Sequence, residues 1–170
     1  MTKQKQELSE RMVDAYNAML TRAAEALHHG GTGAKQAIDK AMQKSSELGE
    51  LSREEAERVG DYLKRDVTDA ARFLNESGKE LGDWLSFDLA AVEMGLGQLF
   101  SRVVDETRVA LTDLELRANA LGEWHSGEVV SIGTLQCKSC GEVLHFHHTS
   151  HIPPCPKCHG TSYRRLSTGD

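Results

Sequence analysis

Cys137, Cys140, Cys155 and Cys158 are the four cysteines of the chain, and they stand as two CxxC pairs separated by the fourteen residues from Gly141 to Pro154. Four soft thiolates at this spacing make the ligand set of a structural zinc ribbon. A CxxC turn presents two sulfurs on one side of a tight loop. Two such turns, at the ends of neighbouring hairpins, close a tetrahedron around one ion. Zn²⁺ suits that shell because it takes thiolates well and imposes little geometry of its own. The flanks agree. Gly141 follows the first pair and is expected to take the positive φ that the turn needs. Pro156 lies inside the second pair, Gly160 follows it, and Pro153 and Pro154 stiffen its approach.

Other cysteine chemistries compete. Disulfides need an oxidising compartment, and the opening segment MTKQKQELSERMVDAYNAML is too charged for a signal peptide. A redox CxxC needs a βαβ context, which the pattern lacks. A four-cysteine iron site shares the spacing and stays open behind zinc. A closed four-ligand shell keeps no position for water, so the ion's expected role is structural. A segment this short buries too little core to fold alone, so metal binding would supply its folding free energy. Metal loss is then expected to unfold the ribbon and leave the preceding helices largely intact.

The elements that carry these cysteines fall into two parts. Residues 1–121 hold 16 Lys and Arg against 22 Asp and Glu, whereas residues 122–170 hold four of each. The second part also has six of the eight histidines and all three prolines. This shift predicts a helical region over 1–121 and a zinc-ribbon domain over 122–170. The net charge of −6 gives no global basic field to attract nucleic acid. No apolar run is long enough to span a membrane, and with reduced cysteines this points to a cytoplasmic protein.

The first part has no proline and is rich in strong helix formers. Leu8, Met12, Ala15, Met19, Ala23 and Ala26 form one stripe, closed by the glycine-rich break from His28 to Gly33. Ala34, Ile38, Ala41, Met42 and Leu48 suggest a weaker second helix. Ser52 and Glu55 read as a capping box before a third helix carrying Val59, Leu63, Val67, Ala70 and Leu74. A fourth run steps by four and three through Leu85, Leu89, Val92, Leu96, Leu99 and Val103. A stutter then continues it through Thr107, Leu111, Leu114, Ala118 and Leu121. Read as one helix, Lys79–Leu121 would extend on the order of 65 Å and need a partner of similar length. The fold class expected is therefore mainly α with a small β zinc ribbon: a long antiparallel helical hairpin or coiled coil, then the ribbon. An intramolecular hairpin is favoured, with a homodimer through the seam as the alternative. Gly82, Gly95 and Gly97 weaken the run or bend it near Gly95–Gly97.

In the second part, residues 128–135, 142–148 and 161–166 read as three short strands joined by the metal turns. Here the chain resembles a known group. A charged helical region, the turn at Gly127-Glu128, the segment VVSIGTLQCKSCGEVLHF and the tail with PCPKC, Tyr163 and Arg164 are similar to the bacterial zinc-ribbon-containing family of unknown function. The resemblance covers essentially the whole chain. It implies a four-cysteine zinc site, matched by Cys137, Cys140, Cys155 and Cys158, and brings no catalytic residue with it.

His145, His147, His148 and His151 cluster between the pairs and read as solvated strand and loop residues rather than a second metal site. Trp124, Phe146 and Tyr163 could stack on bases but read as ribbon packing. Arg164 and Arg165, with Lys138 and Lys157, are the candidates for phosphate contact, a thin footprint when diluted by equal acids. With every cysteine assigned to metal, no thiol nucleophile remains, and no P-loop, GxSxG, HExxH or GxGxxG stands in the sequence. The expected function is a non-enzymatic zinc-binding interaction protein with a protein partner. The alternative is a nucleic-acid-associated factor in transcription or translation, by analogy with other ribbons.

Overall fold

The computed structural model describes residues 3–28, 33–93, 95–109 and 111–167. The glycine-rich break after His28 lies largely outside them. Helix α1, Lys3–His28, buries Met12, Ala15, Tyr16, Met19, Leu20, Ala23, Ala24 and Leu27, a stripe at steps of three and four. It packs on α2, Ala34–Glu47.

Helix α3, Arg53–Ser77, is the central strut and packs against α1 and α2 and against the later helices. Ser52 caps it, the side chain accepting the Glu55 amide at 3.1 Å. The Glu55 carboxylate accepts from Arg11 of α1 at 3.2 Å. This half of the expected capping box therefore ties two helices together.

The run from Lys79 to Leu121 is not one helix. It divides into α4, Leu81–Leu85, a 3-10 turn at Leu89–Ala91, α5, Leu96–Val109, and α6, Thr112–Leu121. The bend expected near Gly95–Gly97 falls at the start of α5, where Gly95 takes φ +82° just before Leu96. Ser86 turns into the left-handed region at φ 64° and ends α4. Burial explains the break. Trp84 is fully buried and stacks on Phe100 of α5 with ring centroids 5.4 Å apart, a contact within the chain that a continuous helix could not make. The seam residues Leu85, Leu96, Val103 and Leu114 enter the same core as the α1 and α3 stripes. The seam is thus covered by the chain's own helices.

Helices stop at Leu121 and strands begin at Trp124. Strands β1 (Trp124–His125), β6 (Ser162–Arg165), β3 (Gly133–Cys137) and β4 (Val143–Phe146) form an antiparallel sheet in the order β1-β6-β3-β4. A second pair joins β2 (Val129–Val130) to β5 (Ser150–His151). The first expected strand is thus two, divided before Gly133. The architecture is mainly α with a small β ribbon. The two parts are in contact: Val129 and Ile132 are buried in the helical core, and the Thr134 hydroxyl donates to the Leu85 carbonyl at 2.5 Å. The ribbon keeps a core of its own from Trp124, Val130, Leu135, Phe146, Ile152 and Tyr163, together with Cys137 and Cys155.

Candidate metal centre

The two cysteine turns are built the same way. In the first, the Gly141 amide donates to the Cys137 carbonyl at 2.9 Å, and Cys137 N–H reaches the Glu142 carbonyl at 2.8 Å. Gly141 takes φ +84°, as expected from its place after the pair. In the second, the His159 amide donates to the Cys155 carbonyl at 2.9 Å, and Cys155 N–H reaches the Gly160 carbonyl at 2.8 Å. Here His159, not Gly160, occupies the left-handed region, at φ 64°. Gly160 is favoured for another reason. A Cβ on it would sit 3.2 Å from both the Cys137 and Cys158 sulfurs and 3.1 Å from Ser139 Oγ.

All four sulfurs lie within 4.8 Å of one another. Cys137 Sγ is 3.6 Å from Cys158 Sγ, and Cys140 Sγ is 3.6 Å from Cys155 Sγ. These distances are far beyond a disulfide bond of about 2.05 Å. They suit a metal shell instead: arms of about 2.3 Å place tetrahedral sulfurs about 3.8 Å apart. Each close pair takes one sulfur from each turn, so the two loops interlock over one point.

The thiols cannot share this space as independent acids. The backbone amides of Cys140 and Ser139 hold the Cys137 thiol down to about 6, against a partial cost of burial. The Gly160 amide draws Cys158 down, yet the neighbouring Cys140, Cys137 and Cys155 sulfurs and burial push it up to about 12. Cys140 is also raised; burial and the Cys155 and Cys137 sulfurs outweigh the Glu142 amide. The Cys137 thiolate forms readily, whereas Cys140 and Cys158 resist a second negative charge beside it. A divalent cation relieves that conflict, and the donor set fits a thiophilic ion.

The other residues singled out in the sequence divide. Trp124, Phe146 and Tyr163 are buried in the ribbon core, and Tyr163 donates to the Pro153 carbonyl at 2.7 Å. Of the four candidate phosphate contacts, Arg165 is buried against Asp66 at 3.1 Å and Asp69 at 3.5 Å, which removes it from any surface. Lys138 pairs with Glu123. Arg164 and Lys157 are exposed. His145 and His147 lie against Phe87, with ring centroids at 5.8 and 4.5 Å. His151 faces the Gly127 carbonyl at 3.0 Å and the Ser9 carbonyl of α1 at 2.9 Å. His145, His147 and His151 therefore serve contacts between elements, whereas His148 Nδ1 lies 3.1 Å from the carbonyl of its neighbour Thr149. Sequence reasoning missed the residues that join ribbon to helices, above all Asp66, Arg65 and Arg165. A charged Arg65-Asp66 pair within the α3 stripe was the signal present.

The model of a family described as a zinc-ribbon containing domain matches residues 21–167. The chain is similar to "Uncharacterized protein YbeL" of Escherichia coli K12, 29% identical over 154 residues that cover 88% of this chain and 92% of the relative. Proteins of the same printed name from E. coli O6:H1 and O157:H7 match with the same identity and coverage. No solved structure matches.

Proposed function

The chain belongs to the family defined by the zinc-ribbon containing domain, and from that premise we propose that it is a non-enzymatic zinc-binding interaction protein. Cys137, Cys140, Cys155 and Cys158 hold one structural Zn²⁺, and the helical body presents a docking surface to a protein partner in the cytoplasm. The observation that carries the metal half is the interlocking of the four sulfurs at tetrahedral spacing. Four thiolates fill the shell of the ion, so it orders the loops rather than activating a water. For the docking half, support comes from Val109 and Leu116, which are 85% and 81% exposed on α5 and α6.

Two measurements test this reading. Elemental analysis of the purified protein should find one zinc per chain, lost in Cys155→Ser; full zinc in that variant would sink the ligand assignment. Val109→Lys with Leu116→Lys should abolish capture of the partner from native cells while zinc stays bound. Undiminished capture would remove the docking surface from α5 and α6. The nucleic-acid alternative draws less support, because the burial of Arg165 and the pairing of Lys138 thin the cationic footprint further. A salt titration separates the two: phosphate-based binding weakens steeply with salt.

A further inference from the structure

We propose that the metal centre governs the stability of the helical body as well as that of the ribbon, the two being one metal-dependent folding unit. This rests on the zinc reading above. It replaces the expectation that helices would survive metal loss largely intact.

Asp66, in the middle of α3, is fully buried. One of its oxygens accepts from the Tyr16 hydroxyl at 2.6 Å and from the Ser131 amide at 3.0 Å. The other accepts from Trp124 Nε1 at 3.1 Å and Arg165 Nη2 at 3.1 Å. Only Tyr16 belongs to a helix. The other three donors come from the strand-forming part. A buried charged group is tolerable only while its partners stand in place. Arg65 repeats the arrangement. It is 2% exposed, donates to Glu128 Oε1 at 2.8 Å and lies over the Trp124 ring at 4.9 Å.

These donors are in turn positioned by the cysteine turns. Tyr163 pairs in register with Cys137 on one side and with Trp124 on the other. Two residues on, the same face of β6 carries Arg165 into the helices, over the Trp84 ring at 4.4 Å. Further ties cross the same boundary: Thr149 Oγ1 donates to Asn17 Oδ1 at 2.5 Å, and the Ser86 hydroxyl donates to the Leu166 carbonyl at 3.2 Å. Without its ion the ribbon is too small to hold β1, β3 and β6 in place. Loss of the ribbon would strip Asp66 of three of its four hydrogen-bond donors, leaving Tyr16 and the Arg65 guanidinium at 3.9 Å, and would expose the apolar sites filled by Val129 and Ile132. The helical body would then carry an under-satisfied buried charge and an uncovered core face.

The test is thermal melting of the full chain in zinc buffers of fixed free Zn²⁺, followed by far-ultraviolet circular dichroism, with bound zinc measured in parallel. Circular dichroism there reports chiefly on the helices. Because a ligand that binds only the folded unit stabilises it logarithmically, the helical midpoint should rise by roughly 3–5 °C per tenfold increase in free zinc. A helical midpoint that stays fixed while one zinc per chain is gained and lost would overturn the coupling and leave the zinc reading standing. A melt that splits into a zinc-dependent ribbon step and a zinc-independent helical step would overturn it equally. A protein that binds no zinc would overturn both, and the metal analysis identifies that case.

Discussion

Asp66 of α3 and Arg165 of β6, ninety-nine positions apart, meet at 3.1 Å between the helices and the ribbon, and both side chains are almost wholly buried. Burial lowers the Arg165 guanidinium from its ordinary value, with the Arg65 charge adding to the shift, and Asp66 and Asp69 oppose it. The two ends of the pair are not equivalent. Asp66 collects four donors, so Asp66→Ala leaves the Arg165 guanidinium with Asp69 alone at 3.5 Å and strands three further polar groups. Its expected cost is about 3–5 kcal/mol. Arg165→Met leaves the carboxylate with Tyr16, Trp124 and Ser131 and keeps an apolar stem of similar reach. It should cost clearly less. Urea unfolding of the two variants checks the order, and an Asp66→Ala loss within 1 kcal/mol would refute the role given to this hub.

Gly160→Ala tests the centre without removing a ligand. The added methyl would press on the Cys137 and Cys158 sulfurs at 3.2 Å, so one turn must yield. Zinc affinity should fall roughly 10-fold, by analogy with other disturbances just outside a ligand shell. Competition with a chromophoric chelator measures it. Unchanged affinity would mean that the second turn relaxes freely.

How these sites could be read from sequence depends on how local their causes are. The convergence of Cys137, Cys140, Cys155 and Cys158 on one point was legible because CxxC spacing within a turn is a short-range constraint. So were α1 and α3, whose stripes repeat every three or four residues. The division of Lys79–Leu121 was not, since the apolar spacing runs unbroken from Leu85 to Val103, and the break reflects the long-range stacking of Trp84 of α4 on Phe100 of α5. Asp66 was less legible still. Its partners Tyr16, Trp124, Ser131 and Arg165 lie 50 to 99 positions away, and a charged residue in a helix ordinarily faces solvent.

Arg22 and Glu50 give a pH dependence of known sign. The paired Arg22 hydrogen bond lowers the Glu50 carboxyl from its ordinary value, against a smaller cost of burial, with Ser45 assisting at 3.1 Å. A carboxyl depressed in the folded state adds stability above its unfolded value of about 4.3, and that stability is lost as pH falls through the lower folded value. Both side chains are partly exposed, so solvent screening limits the gain to about 0.5 kcal/mol. Glu50→Gln should therefore be less stable than the native chain at neutral pH, and the two should converge below about pH 4. A gap in urea midpoints that persists undiminished at pH 3 would assign the effect to packing instead.

Gly133→Ala probes the seam between ribbon and helices from the strand side. Gly133 opens β3 at φ +140°, a conformation that side chains rarely adopt. Any Cβ there would overlap the Arg165 guanidinium and approach the Trp84 ring at 3.4 Å. Arg165 cannot swing aside, because Asp66 and Asp69 hold its head and Trp84 and Trp124 cover its faces. Backbone strain and displaced guanidinium together should cost about 2–4 kcal/mol. The distinguishing readout is a double variant. In Arg165→Met the flexible thioether can yield to the new methyl, so adding Gly133→Ala should cost only the backbone share, about 1–2 kcal/mol. Equal costs in the two backgrounds would show that the guanidinium does not define the space above Gly133.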